Sequence, residues 1–361
     1  LQQALVERSR DPAADLRARI AAARALGELG DPRFERRRGP LGEYLLPPLV
    51  AIEAGTYPIG SDEGIDPDEA PAHGVELAAF HLARFPVTNA EWRLFITAGG
   101  YDDERWWETE TAQRWRSGEG AAEGTKQGYR DGLLWIHGYP EEYRQMVDDG
   151  RVPQPVAARW EKWLAMSDAE FEMALDEHVP AGRQTEPRFW NDPAYNDAAQ
   201  PVVGICWHEA RAYCAWLSAQ SGLLWRLPSE AEWEAAARGL MERRYAWGED
   251  FDPARGNTFE SHIRGTTPVG VFPGGDTPEG VADLSGNVWE WTSSAFEPYP
   301  YVPDPPREDP AVMATRRVLR GGSWNDLRGG ARCACRDHLD PGARNDFLGL
   351  RLVCVSPILN R

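Results

Sequence analysis

Sixteen tryptophans share this chain with 35 glycines and 29 prolines, and that combination limits the fold more than any other feature. Gly and Pro at such density cut the backbone into turns and leave few long regular elements. Irregular backbone lacks ladder hydrogen bonds, and Trp rings, with their large apolar area, stiffen it by packing. A loop-rich α+β chain is therefore expected. Its 42% of hydrophobic residues suffice for a substantial core, and 361 residues leave room for two ordinary domains or one elaborated one.

Charge narrows the partners. A net charge of −18 repels phosphate backbones and anionic lipid heads, so neither nucleic acid nor membrane insertion is expected. No apolar run is long enough to span a bilayer. The start, Leu1 followed by polar and charged residues, does not read as a signal peptide, and a first residue other than Met suggests a piece of a longer chain. Cys206, Cys214, Cys333, Cys335 and Cys354 are odd in number and lack framework spacing. Reduced, mostly buried thiols in a cytoplasmic setting are expected.

Along the chain, residues 1–40 read as a helical tail and linker. Leu16, Ile20 and Leu26 give one apolar helix face, and Arg36-Arg37-Arg38-Gly39-Pro40 gives the linker. The main domain then covers 41–361. Strands are expected over 50–52, 55–61, 80–85 and 202–205, and helices after Thr88, from Trp207 and after Ser229. Ser229 with Glu232 forms a capping-box pattern. Residues 101–185, charged and studded with Trp, read as an insertion or elaborated connection whose aromatics are packing residues rather than a site.

The second half carries four ordered words: Arg226-Leu227-Pro228-Ser229-Glu230-Ala231-Glu232-Trp233-Glu234, Thr267-Pro268-Val269-Gly270, Gly286-Asn287-Val288-Trp289-Glu290-Trp291 and Arg320-Gly321-Gly322-Ser323-Trp324. With 55–61, 86–89 and 349–352 they resemble the sulfatase-modifying-factor family, which includes formylglycine-generating enzymes. The resemblance spans roughly 45–355, with 101–185 outside it. It implies a C-type-lectin-like fold: small twisted antiparallel sheets, two main helices and much ordered loop.

The same resemblance argues against the family's oxidation chemistry. Its paired cysteines fall, in this chain, on Asp326 and Ala331. Ser323 and Trp289 match positions around that site, but neither replaces a thiolate as a soft copper ligand. The seven His show no spacing that puts two on one helix face, and no redox cofactor is expected. An oxidase with its metal site moved elsewhere is the alternative. The family's structural calcium maps onto the Asp283 and Glu290 carboxylates and the Gly286 and Val288 carbonyls, four of the six to eight oxygens calcium takes. In the other reading of these residues, Asp283 caps a turn and Glu290 pairs with an Arg.

Between Trp324 and Arg351, family words alternate with residues of unrelated chemistry: Asp326, Leu327, Gly329, Gly330, Cys335, Asp337, His338, Leu339, Asp346 and Phe347. Neither helical nor strand periodicity explains that order. The layout over 320–352 resembles the variable regions of proteins diversified by retroelements, and implies a surface that binds a protein or small-molecule ligand. The plainer reading makes these ordinary loop residues, with Leu339 and Phe347 turned into the core.

Overall fold

The computed structural model describes residues 1–64, 66–303, 305–312 and 316–355. Its backbone is organised by two four-stranded sheets joined through long ordered loops. One sheet contains β3 (Leu49–Ile52), β6 (Phe80–Ala83), β12 (Val353–Cys354) and β7 (Trp225–Arg226), antiparallel in that order. The other runs β10 (Arg336–Leu339), β9 (Arg317–Arg320), β8 (Trp289–Ala295) and β11 (Leu348–Leu350). Within it β11 lies parallel to β8 and the remaining pairs are antiparallel. The hairpin of β4 (Gly55–Ile59) and β5 (His73–Leu77) stands apart from both.

Two helices lie deep in the domain, the first in its main core and the second in another. Helix α9 (Trp207–Ser221) is buried over most of its length, and α10 (Glu230–Arg238) over all of it. The capping box of Ser229 and Glu232 starts α10, and Thr88 with Glu91 starts α3 (Asn89–Thr97) in the same way. The fold is α+β and lectin-like, as the words imply. Residues 202–205 are an exception, for they form no strand. Their amides reach single carbonyls instead, Val202 to Val87 and Gly204 to Asn345. An apolar run too short to separate periodicities gives no warning of this.

The N-terminal segment corrects the expected tail and linker. Helices α1 (Gln2–Ser9) and α2 (Leu16–Leu29) pack on each other and on the domain. Ala23 joins Val271 and Phe272, and Phe34 joins Phe85, Val269 and Ala282. Arg10 donates to the Gly270 carbonyl and to Asp276, and Arg19 to the Val271 carbonyl. The arginine run is no linker: it lies in β1 (Glu35–Gly39), paired with β2 (Gly42–Leu46). Arg36 meets Glu43 across that hairpin, so its charges stay in solvent while the backbone pairs.

The insertion folds into α4 (Glu110–Ser117), α5 (Glu123–Gly138), α6 (Pro140–Asp148), α7 (Gln154–Leu164) and α8 (Asp168–His178). Trp163, Phe171 and Leu175 make a satellite core with Tyr129 and Trp160. At its other end Asp131 of α5 meets Arg316, which ties the insertion to the second sheet.

Candidate functional site

Buried ion pairs fix the frame around residues 320–352. Arg320 pairs with Glu234, Arg332 with Glu69, Arg336 with Glu230, Arg344 with Glu209 and Arg351 with Glu290. Charges held this deep survive only when paired and hydrogen-bonded. The family arginines thus set the positions of the loops between them. Gly322, at φ +71°, lies so close to the Gly330 carbonyl that a Cβ would stand 2.8 Å from it. That contact folds 321–331 into a tight loop.

Asp326 sits at the turn of this loop. The Ser323 amide and hydroxyl donate to Asp326 Oδ2 at 2.9 and 2.6 Å, and Trp289 Nε1 donates to the same oxygen at 2.9 Å. Burial still pushes the carboxyl above its usual range. Asp337 on β10 accepts from the His338 amide at 2.7 Å, and burial, with Asp326 adding repulsion, raises it to about 7. Asp346 accepts from Tyr195 at 2.9 Å and is also pushed up by burial. The Tyr195 ring faces Trp324, and the Phe347 carbonyl accepts from the Trp289 amide. Through these contacts Asp326, Asp346 and Phe347 gather around Trp289, Trp324 and Tyr195.

The ten expected surface residues divide. Leu327 is exposed at 42% and, with Gly329, lines a cleft of about 600 Å³ walled by Arg244, Tyr245, Phe251 and Glu260. Asp326, Gly330, Asp337, His338 and Asp346 are half-buried. His338 packs on Phe296 and contacts Arg316. Cys335 is buried in the main core, and Leu339 and Phe347 pack against that core from its edge. These three correct the picture of ten side chains offered to solvent. Tyr195, Tyr245 and Phe251 come from outside 320–352, and no sequence signal ties them to it.

Of the four residues assigned to calcium, Glu290 is already paired. Both Glu290 oxygens accept from Arg351, at 2.7 to 3.1 Å, and Trp233 Nε1 adds a bond of 2.7 Å. This corrects Glu290 as a free ligand, since a guanidinium already neutralises it. Asp283 accepts from the Gly270 amide at 2.7 Å, and burial raises it to about 6. The Gly286 carbonyl accepts from the Val288 amide, which itself lies next to the Glu290 strand. Among the described residues one group of Cys, His, Asp or Glu side chains comes within mutual ligating distance, namely Asp66, Glu69 and Cys335. Glu69 there is held by Arg332 and Asp66 is exposed.

The sulfatase-modifying factor enzyme 1-like domain matches residues 40–355, straight through the insertion. The chain belongs to this family. Hercynine oxygenase of Mycolicibacterium smegmatis is 30% identical over 327 residues, covering 84% of this chain and 60% of that protein. The chain therefore spans less than two thirds of that relative's length. Inactive C-alpha-formylglycine-generating enzyme 2 of Mus musculus is 31% identical, with 88% of each chain covered. Two solved structures share the family's fold. PvdO from Pseudomonas aeruginosa aligns with a TM-score of 0.54 at 22% identity, over 89% of this chain and 99% of its own. Treponema denticola variable protein 1 aligns with 0.53 at 17%, over 90% and 100%. Among the described residues no helix is long and apolar enough to cross a membrane.

Proposed function

We propose that this family member is a ligand-binding, receptor-like protein that displays changeable side chains over residues 320–352. The observation that supports it is Asp326. It takes the place of the family's first cysteine, yet it is held in a defined orientation beside Trp289 and Trp324, with Asp337 and Asp346 near by. Half-buried carboxylates around aromatic rings suit a ligand, protein or small molecule, that brings a cationic or hydrogen-donating group.

A redox role has little to draw on. Cys206, Cys214, Cys333 and Cys335 are buried, and burial pushes each thiol up, away from the reactive thiolate. Of the described residues, the one group of side chains at mutual ligating distance is Asp66, Glu69 and Cys335, and there Glu69 already serves Arg332, so giving it to a metal would uncover a buried charge. Sequencing the locus tests the display reading. A near-copy of the segment encoding 320–352 is expected in neighbouring DNA, differing at adenines. Its absence, with 320–352 invariant among sibling strains, overturns the reading.

A further inference from the structure

The cleft beside Leu327 draws its walls from two parts of the chain. One is the loop tip at 327–329, and the other is the turn from Arg244 to Phe251. Both are held by backbone hydrogen bonds. The Gly330 amide bonds back to the Leu327 carbonyl, and the Phe259 amide donates to the Asp326 carbonyl. Glu260 accepts from the Arg328 amide at 2.9 Å, which pins the tip to 259–260. Across the cleft, the Arg244 carbonyl accepts from the Cys333 amide, and Tyr245 and Gly248 exchange two backbone bonds. The Tyr245 ring stacks on Trp247 and meets Phe251, each at 5.4 Å. A ligand here meets walls already in place, which lowers the ordering cost of binding.

Exposure decides what these walls offer. Leu327 is exposed at 42%, and Phe251, in the same lining, is half-buried. Arg244 and Arg328 are both exposed, and among the described residues neither has a carboxylate within ion-pairing distance. The nearby Arg243 and Arg332 are paired, with Glu279 and Glu69. Burial raises the Tyr245 phenol, and Arg244, Arg328 and Arg332 act against it in that order. Both unpaired guanidiniums thus lie close to one ring.

The one carboxylate in the lining is Glu260, and its two oxygens serve the Arg328 amide and the Thr258 hydroxyl. Glu249 and Asp250 belong to the same turn as Tyr245 but not to the lining. Two open cations against one occupied carboxylate make the cleft locally positive, in a chain whose net charge is −18. A guanidinium takes a carboxylate through paired hydrogen bonds, and an exposed Leu between walls gains when an apolar group covers it.

We propose that this cleft takes an acidic segment of a protein ligand, with a carboxylate side chain at Arg244 and Arg328 and a neighbouring apolar side chain on Leu327 and Phe251. The inference rests on the display reading and narrows it. Leu327 and Gly329 are display residues, whereas Arg244, Phe251 and Arg328 are not. The scaffold therefore sets the sign of the ligand, and the display residues set its fit.

The test is fluorescence anisotropy of the labelled peptide Glu-Leu-Glu-Phe-Glu-Leu titrated with the full chain. Two control peptides carry Gln for Glu, or Gly for Leu and Phe. Saturable binding of the first peptide is expected, about tenfold tighter than either control. Arg244→Gln combined with Arg328→Gln should weaken it by a similar factor, and exposed positions tolerate such changes without loss of folding. Arg244→Glu with Arg328→Glu should turn the preference toward a peptide with Lys for Glu. Absence of saturable binding, equal binding of either control, or unchanged affinity in the folded Gln double variant overturns the proposal. A varied 320–352 with no peptide binding strikes this cleft alone. An invariant 320–352 strikes the display reading, and peptide binding lost in the Gln double variant would still establish the cleft.

Discussion

Asp337 has one carboxylate oxygen on the His338 amide and, among the described residues, no cation paired with it, so its charge is poorly compensated in the folded chain. Its folded pKa of about 7 exceeds the ordinary unfolded value of about 3.9. Between those values the folded state binds more protons than the unfolded one, so stability falls as pH rises through that window. Melting temperature is expected to drop from pH 5 to pH 8, and Asp337→Asn should remove part of the drop. Equal slopes in the two proteins would place the cause in the net negative charge instead. Glu290 is the opposite case, since Arg351 and Trp233 satisfy both its oxygens. Glu290→Gln should cost about 3–5 kcal/mol in urea unfolding, the usual effect of stranding one partner of a buried pair. Chelator should leave the wild-type melting temperature unmoved. A fall on chelation would show that a cation does reach the Asp283 side of this loop.

The N-terminal elements stabilise the domain through Ala23, Phe34, Arg10 and Arg19, all of which reach residues 269–276 or their neighbours. A chain beginning at Pro40 should therefore unfold at clearly lower urea than the full chain. Phe34→Ala alone should cost about 3 kcal/mol if its pocket stays open. Unchanged midpoints would mean that these helices only rest on the surface. The sequence hides this docking because most of its partners lie more than 200 residues away, and because a run of arginines looks like solvent-facing linker whether or not its backbone is paired. Capped helices were more legible. Thr88 and Ser229 announce α3 and α10 through local hydrogen bonds that the residues themselves encode. Residues 202–205 lack any such local signal, and their partners at Val87 and Asn345 are set by tertiary packing.

At the scale of the molecule, the ordered family words located the scaffold, and the ion pairs from Arg320 to Arg351 show why. Arg320 pairs with Glu234 and Arg351 with Glu290, so two of these buried contacts tie one word to another. Periodicity cannot report which side of an irregular loop faces water, so the display surface was legible as a stretch and not as individual exposures. With Asp326 and Ala331 in the cysteine positions, the chain should form no aldehyde on a Cys-x-Pro-x-Arg peptide with copper and oxygen. Aldehyde above a protein-free control would contradict this.

The division among the ten residues gives the final prediction. Leu327 is exposed beside its cleft, whereas Phe347 and Leu339 pack on the main core next to Trp289 and β9. A scaffold built to tolerate change should accept it at the first kind of position and resist it at the second. Leu327→Asn should alter unfolding free energy by no more than about 0.5 kcal/mol, as exposed substitutions do. Phe347→Ala and Leu339→Ala should each cost about 2 kcal/mol or more, because the apolar contacts they lose are not replaced. If all three variants unfold alike, the loops do not separate display from packing, and position in the fold would not decide which residues are free to vary.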